Sequence, residues 1–312
     1  MENSHIQWTD HTFNPWEGCT KVSPGCAHCY AEARNQRFAG GANWGKGAPR
    51  RRTSASNWKE PLKWNKAVVE GRKSKVESQR RPRVFCASLA DWLDDEVPIE
   101  WLADLLKVIH DTPNLDWQLL TKRPENWRKR MDDAVNHLWR AEECLAPDYF
   151  AWAWAWFQAE EIPANIWLGT TVEDQPRADE RIPELLKIPA RVRFLSVEPM
   201  LEAIIFRRNL HEYNLELVDW AIFGGESGPK ARPCNIEWIR NGVRQCRQAS
   251  VPVFVKQLGA CPTVTKAYPG QPMPDDFRTF THTKGGDPAE WPEDLRVREF
   301  PALDSRPSTL DP

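Results

Sequence analysis

Six short apolar runs recur along the chain, and each stops abruptly in polar residues before a helix-like stretch begins. They lie at 83–88 (RVFCAS), 116–121 (DWQLLT), 166–171 (IWLGTT), 192–197 (VRFLSV), 219–224 (DWAIFG) and 252–257 (PVFVKQ). Val, Ile, Phe and Trp dominate them, and most are apolar on both faces. That pattern predicts strands of a parallel sheet covered on both sides, not half-exposed antiparallel strands. Helices fit the intervals. Residues 99–110 place Leu102, Leu105, Val108 and Ile109 on one face, and residues 235–249 open on a capping Asn235 and repeat Ile236, Ile239 and Val243. The strand-to-strand distance of about 26 to 50 residues suits βα units with right-handed crossovers. With a weaker first strand near 6–13, the set predicts a partial parallel (β/α) barrel. A doubly wound open sheet is the alternative.

The 312 residues suffice for one large α/β domain with additions. We expect the barrel over 1–261, with an insertion at about 124–165, and a C-terminal extension over 262–312 packed on it as Pro- and Gly-rich loops. The insertion holds AWAWAWF at 151–157, whose alternation suits a strand and whose composition suits a helix; we read it as packed on the barrel, with a partner surface as the other reading. Apolar stretches fall far short of a membrane span, and the N-terminus lacks a signal-peptide apolar region. A cytoplasmic protein without membrane contact is the expectation.

In parallel α/β architectures, ligands bind beyond the carboxyl ends of the strands. Here those ends carry Ser88 and Asp91; Thr121, Lys122 and Arg123; Thr170, Thr171 and Glu173; Ser196 and Glu198; Gly224, Gly225, Glu226 and Ser227; and Lys256 and Gln257. Polar residues follow the apolar run each time, so the rim is expected to be functional. Gly224–Gly225 would let a ligand approach the backbone.

The strongest local signal is GCTKVSPGCAHCYAEARNQRF at 18–38, with the spacing Cys19-x6-Cys26-x2-Cys29. A helix is expected over 27–38, beginning inside the motif. Clustered cysteines in a reducing compartment are metal ligands or catalytic groups more often than disulfides. The two-residue gap lets two thiolates converge, and the Ser23-Pro24-Gly25 turn can return Cys19 to them. Three thiolates fit an iron–sulfur cluster with one open iron. A structural zinc site wants a fourth ligand, for which His28, Cys234 and Cys261 are the candidates. Cys86, Cys144, Cys234, Cys246 and Cys261 are scattered and read as buried small hydrophobes.

Three cysteines in a loop after the first strand of a partial α/β barrel resemble the radical S-adenosylmethionine superfamily, with six residues in the first gap where that superfamily usually has three. The whole chain is similar to a phage- and prophage-associated family of three-cysteine-motif proteins of unknown function. The likeness rests on TFNPWEGCTKVSPGCAHCYAE, SLADWLDDEVP, LLTKRPENW, IWLGTTVEDQ, VRFLSVEPML, FGGESGPKARP and VFVKQLG, over roughly residues 5–261. It implies that Cys19, Cys26 and Cys29 hold a [4Fe–4S] cluster whose fourth iron takes S-adenosylmethionine, giving a 5′-deoxyadenosyl radical. It further implies Ser88 and Asp91 near the methionine amino group, Thr171 and Glu173 near the ribose, and Tyr30 near the adenine. Glu198 and Glu226 would help hold the cofactor or face the substrate, as would Lys256. An electron donor of flavodoxin or ferredoxin type is implied as partner. No catalytic residue is singled out.

Net charge is only −2, but residues 31–82 carry fourteen Lys/Arg against four Asp/Glu, including Arg50-Arg51-Arg52, with Phe38, Trp44, Trp58 and Trp64 interleaved. Cations for phosphates and aromatics for bases suggest a nucleic-acid or nucleotide substrate. A zinc-stabilised nucleic-acid-binding protein without catalysis is the competing class.

Overall fold

The computed structural model describes residues 2–71, 80–140, 147–206, 215–264 and 281–302. Seven strands form one sheet: β1 (His11–Thr12), β2 (Arg83–Cys86), β3 (Asp116–Thr121), β4 (Ile166–Thr171), β5 (Val192–Val197), β6 (Trp220–Gly224) and β7 (Val253–Gln257). Their order in the sheet is their order in sequence. The β1–β2, β2–β3, β5–β6 and β6–β7 pairings are parallel. A doubly wound sheet reverses its strand order at a switch point. This sheet never reverses, so the doubly wound alternative is set aside. The fold is mixed α/β with the sequential strand order of a (β/α) barrel.

Chain contacts divide the molecule into two compact units, 1–169 with 187–191, and 170–186 with 192–312. The first holds β1 to β3 and helices α1 (Tyr30–Ala39), α2 (Glu60–Val69), α3 (Ile99–His110), α4 (Trp127–Arg140) and α5 (Pro147–Phe157). Helix α3 buries Leu102, Leu105, Leu106 and Ile109, and its last turn carries Lys107, whose charge complements the helix C-terminus. His11 of β1 stacks on Trp64 of α2 at 4.4 Å between ring centres.

The Trp-rich run is helical. On a helix Trp152 and Trp156 share a face and Trp154 points away. Trp156 is fully buried and donates Nε1–H to Pro189 O at 2.7 Å, whereas Trp154 is 43 % exposed. Tyr149 of α5 donates to Ala103 O of α3 at 2.5 Å.

The second unit contains β5 to β7, α6 (Gln175–Leu186) and α7 (Ile236–Gln248). Asn235 caps α7, its side chain accepting from Glu237 N at 3.0 Å. Gly242 of α7 lies against the Phe223 ring so closely that an added Cβ would sit 2.3 Å from Phe223 Cε1. Residues 281–302 pack along β7. Val255 N donates to Val297 O and Glu299 N to Val253 O, both at 2.8 Å, and Trp291 and Leu295 are buried. Among the described residues no helix is long and apolar enough to cross a membrane.

Candidate functional site: the three-cysteine loop

The loop after β1 is held open by its backbone. Asn14 Oδ1 accepts from Ser88 N at 2.8 Å and Leu89 N at 2.9 Å, which ties the end of β1 to the end of β2. Gly18 has φ +114°, and a Cβ there would meet Asn43 O at 2.4 Å. Only glycine fits, and it sets Cys19, whose carbonyl accepts from Gly45 N at 2.9 Å. Arg50 underpins this turn from inside. It donates Nε–H to Asp94 Oδ2 at 2.8 Å, Nη1 to Gly45 O and Ala48 O, and Nη2 to Thr20 Oγ1.

The chain then makes a 3₁₀ turn over Pro24–Cys26, and Ser23 Oγ lies 3.8 Å from Cys26 Sγ. The helix expected to start inside the motif starts after it: α1 begins at Tyr30, with Cys29 in the extended N-cap position. Cys29 therefore sits at the first-turn N–H groups of the helix. Burial pushes its thiol up, opposed by the backbone N–H groups of Glu32 and Ala31 and by the Lys122 charge. Burial pushes the Cys19 thiol up to about 11, against the pull of Arg123.

Cys19, Cys26 and Cys29 are each half-buried, whereas Cys86, Cys234 and Cys246 are core and Cys261 is half-buried. Cys144 lies outside the described residues. The donor set fits a thiolate-ligated group in its chemistry, since N–H groups and a cation face two of the three sulfurs. Among the described residues, however, no three His, Cys, Asp or Glu side chains stand close enough to share one ion.

Tyr30 is 59 % exposed and donates its hydroxyl to Ser88 O at 2.5 Å, which fastens α1 to the end of β2. Ser88 Oγ lies 3.1 Å from Asn14 Nδ2. Asp91 is buried and spends both oxygens within the chain. Oδ1 accepts from Leu93 N and Thr121 Oγ1, and Oδ2 from Lys122 N and Arg123 Nη1. Arg123 reaches on from Asp91 to Cys19, its Nη1 and Nη2 lying 3.6 and 3.7 Å from Sγ. The polar end of β3 exposed Arg123 to sequence reading, but its partner stands 104 residues earlier and leaves no local sign.

Thr171, Glu173, Glu198 and Glu226 belong to the second unit. Glu173 is fully buried and paired with Arg181 at 2.9 Å, and the same guanidinium donates to Thr171 O. Glu198 accepts from Lys256 Nζ at 2.6 Å and Gln257 Nε2 at 3.1 Å. Arg232 clamps Glu226 through Nε and Nη2. At Gly225 the chain itself takes the space of a side chain, since a Cβ would lie 2.4 Å from Leu258 O, whereas Gly224 faces the Glu198 side chain, whose Cδ a Cβ would meet at 3.2 Å.

Part of the basic and aromatic set over 31–82 is not at the surface. Trp58 and Trp64 are core side chains. Arg50 is buried on Asp94, Arg51 pairs with Glu17, and Arg52 pairs with Asp104 and lies over Trp58. Arg50, Trp58 and Trp64 are thus taken up inside the fold, whereas the Arg51 and Arg52 pairs lie at its surface. Phe38 stays 69 % exposed between Arg34 and Arg37, and residues 72–79 lie outside the described residues.

Fold and loop together define a parallel α/β protein that carries a three-thiol loop behind its first strand. The chain belongs to the family described as "Protein of unknown function (DUF5131)", whose model matches residues 3–284. Comparison with curated proteins and with solved structures returns no match.

Proposed function

We propose that this chain is an iron–sulfur enzyme of the radical S-adenosylmethionine type, with Cys19, Cys26 and Cys29 as the cluster ligands. One observation carries the reading. The three cysteines that lie within eleven residues are all half-buried on the loop at the carboxyl end of β1, while Cys86, Cys234 and Cys246 are sealed in the core and Cys261, half-buried as well, lies far along the chain. When bound, the reduced cluster and S-adenosylmethionine supply a carbon radical able to abstract hydrogen. The chain's own residues do the rest. Gly18 and Arg50 fix the Cys19 turn, the α1 N-terminus presents N–H groups to Cys29, and Tyr30 locks α1 to β2 at Ser88. In the second unit Glu198 pairs with Lys256, and Thr171, Glu173 and Glu226 are held by Arg181 and Arg232. The reading needs a one-electron donor of flavodoxin or ferredoxin type. The substrate in this reading is a nucleic acid or a nucleotide-sized molecule.

Anaerobic purification and reconstitution tests this directly. The expected protein is brown, with about four irons and four sulfides per chain, and on reduction with S-adenosylmethionine it releases 5′-deoxyadenosine. Colourless protein with stoichiometric zinc and no iron uptake would sink the proposal in favour of a structural zinc site. The triple variant Cys19→Ala, Cys26→Ala, Cys29→Ala should lose the metal yet keep its cooperative unfolding. Global unfolding of that variant instead points to a structural metal.

A further inference from the structure

Helix α1 buries only Ala31 and Asn35 among its ten residues. On a helix, Tyr30, Arg34, Arg37 and Phe38 share one stripe about 100° wide. The Phe38 ring is 69 % exposed, and the guanidinium carbons of Arg34 and Arg37 lie 5.4 and 5.3 Å from its centre. Arg34 Nη1 continues to Glu17 Oε1 at 2.8 Å, and Arg51 Nη2 meets Glu17 Oε2 at 2.5 Å. Burial works to raise the Glu17 carboxyl, and the hydrogen bonds and charges of Arg51 and Arg34 more than offset it. One carboxylate thus serves two half-exposed guanidiniums, and Arg37 forms no ion pair among the described residues. The stripe is therefore net positive around an exposed ring. Its stretch of chain has the same bias, since residues 17–59 carry eight Lys/Arg against Glu17 and Glu32. Tyr30, at the other end of the stripe, is 59 % exposed with its hydroxyl fastened to Ser88 O, so its ring is held in place.

A single exposed ring needs no partner. A ring set among three guanidiniums that share one carboxylate offers more: cations for phosphate and a flat face for a base. We infer that this stripe of α1, with Arg51 beside it, is a docking surface for single-stranded nucleic acid, Arg34, Arg37 and Arg51 meeting phosphates and Phe38 stacking on a base. A duplex keeps its bases stacked on one another and leaves Phe38 no face to meet. A lipid surface wants a broad apolar face, which a stripe with two rings lacks. Guanidiniums and rings read phosphates and base faces, not the sugar, so DNA and RNA strands are one ligand to this surface. The inference rests on the proposed function for its nucleic-acid substrate, and it needs no metal at the three-cysteine loop.

Fluorescence anisotropy of the full chain as purified, with no iron added, tests this on a fluorescein-labelled single DNA strand of about 16 nucleotides. Wild type should bind the strand, and should bind a duplex of the same sequence more weakly. Phe38→Ala should weaken binding about 5- to 150-fold, the worth of one base stacked on an aromatic ring, and Phe38→Trp should restore it. Arg37→Gln should lower the slope of log affinity against log salt by about 0.7, the share of one phosphate on a single strand. Lys129→Gln removes the same charge from α4, where the side chain is 76 % exposed, and should leave affinity and slope unchanged. No binding by wild type at low salt overturns the inference. So does a duplex or a mononucleotide that binds as tightly as the strand, and so do Phe38→Ala and Arg37→Gln that behave like Lys129→Gln. Phosphatidylserine vesicles that displace the strand and depend on Phe38 in the same way would assign the face to a membrane, and overturn it too. The cluster reading stands or falls on a different measurement, the uptake of iron and sulfide. Protein that takes up neither, yet binds the strand through Phe38, loses that reading and keeps this one.

Discussion

Arg50 and Asp94 face each other at 2.8 Å with both side chains withdrawn from solvent. Such a pair is costly to break, because removing one partner strands a buried charge. Arg50 also holds Gly45 O, Ala48 O and Thr20 Oγ1, so its loss releases the turn that carries Cys19. Arg50→Met should therefore cost about 3–5 kcal/mol in urea unfolding; a loss below about 1 kcal/mol, an ordinary surface effect, contradicts the role given to the knot. Asp116 makes a second test. Burial holds its carboxyl up to about 6, from an ordinary 3.8, against the pull of Arg81, Arg83 and Arg80. A raised value means that the folded state favours the proton. The stabilising contribution is thus complete below the ordinary value and is lost as pH rises through about 6. Asp116→Asn should raise stability relative to wild type at pH above about 7, by about 1–2 kcal/mol, and should bring no gain below about pH 4. Equal effects at both ends of that range would show that the charge is not what the substitution removes.

At the scale of elements, helices close on strands through size matching. α7 approaches β6 where Gly242 meets the Phe223 ring. Gly242→Ala improves helix propensity by up to about 1 kcal/mol, but its Cβ would intrude to 2.3 Å on a buried aromatic. Overpacking wins, and we expect a net loss of about 1–3 kcal/mol. Adding Phe223→Leu should recover part of it in a double-mutant cycle; strict additivity would mean that the two residues do not share the contact. The Trp-rich helix follows a related logic. Its alternation mimics a strand, but a helix turns 100° per residue, which sends Trp152 and Trp156 one way and Trp154 another.

On the scale of the whole molecule, the family model stops at 284 while the packed chain continues. Residues 297–299 bond to β7, Trp220 Nε1 donates to Glu299 O at 2.8 Å, and Phe300 lies 5.2 and 5.4 Å from the rings of Trp220 and Phe254. A chain ending at 284 should expose the flank of β7 and the rings behind it. We expect a lower midpoint in thermal unfolding and self-association seen by light scattering. A monomeric truncation as stable as the full chain would mean that this segment is only laid over the second unit.

Much of this was legible in the residues. The runs DWQLLT, IWLGTT and VRFLSV are strands with the bounds read from sequence, and 99–110 is a helix with the bounds read from periodicity. Those are local signals: a fully covered strand must be apolar on both faces, and a helix must repeat its apolar face every three or four residues. The helix α1 starts later than its sequence pattern suggests because Cys29 takes the extended N-cap position without a capping side-chain bond, and a cysteine there leaves no strong sequence mark. Part of the basic segment differs from its sequence reading for another reason. Charge and ring counts are one-dimensional, but whether Arg50 meets phosphate or Asp94, and whether Trp64 meets a base or His11, depends on residues brought together from 44 and 53 positions away. By itself the sequence determined the strand–helix alternation, the strand ends and the three-thiol loop, because each depends on neighbours along the chain. Only the tertiary structure decided which cations are spent within the fold, that β1 to β7 never reverse their order, and that Arg123 is aimed at Cys19. Side-chain partnership is set by distance in space, which one sequence does not record.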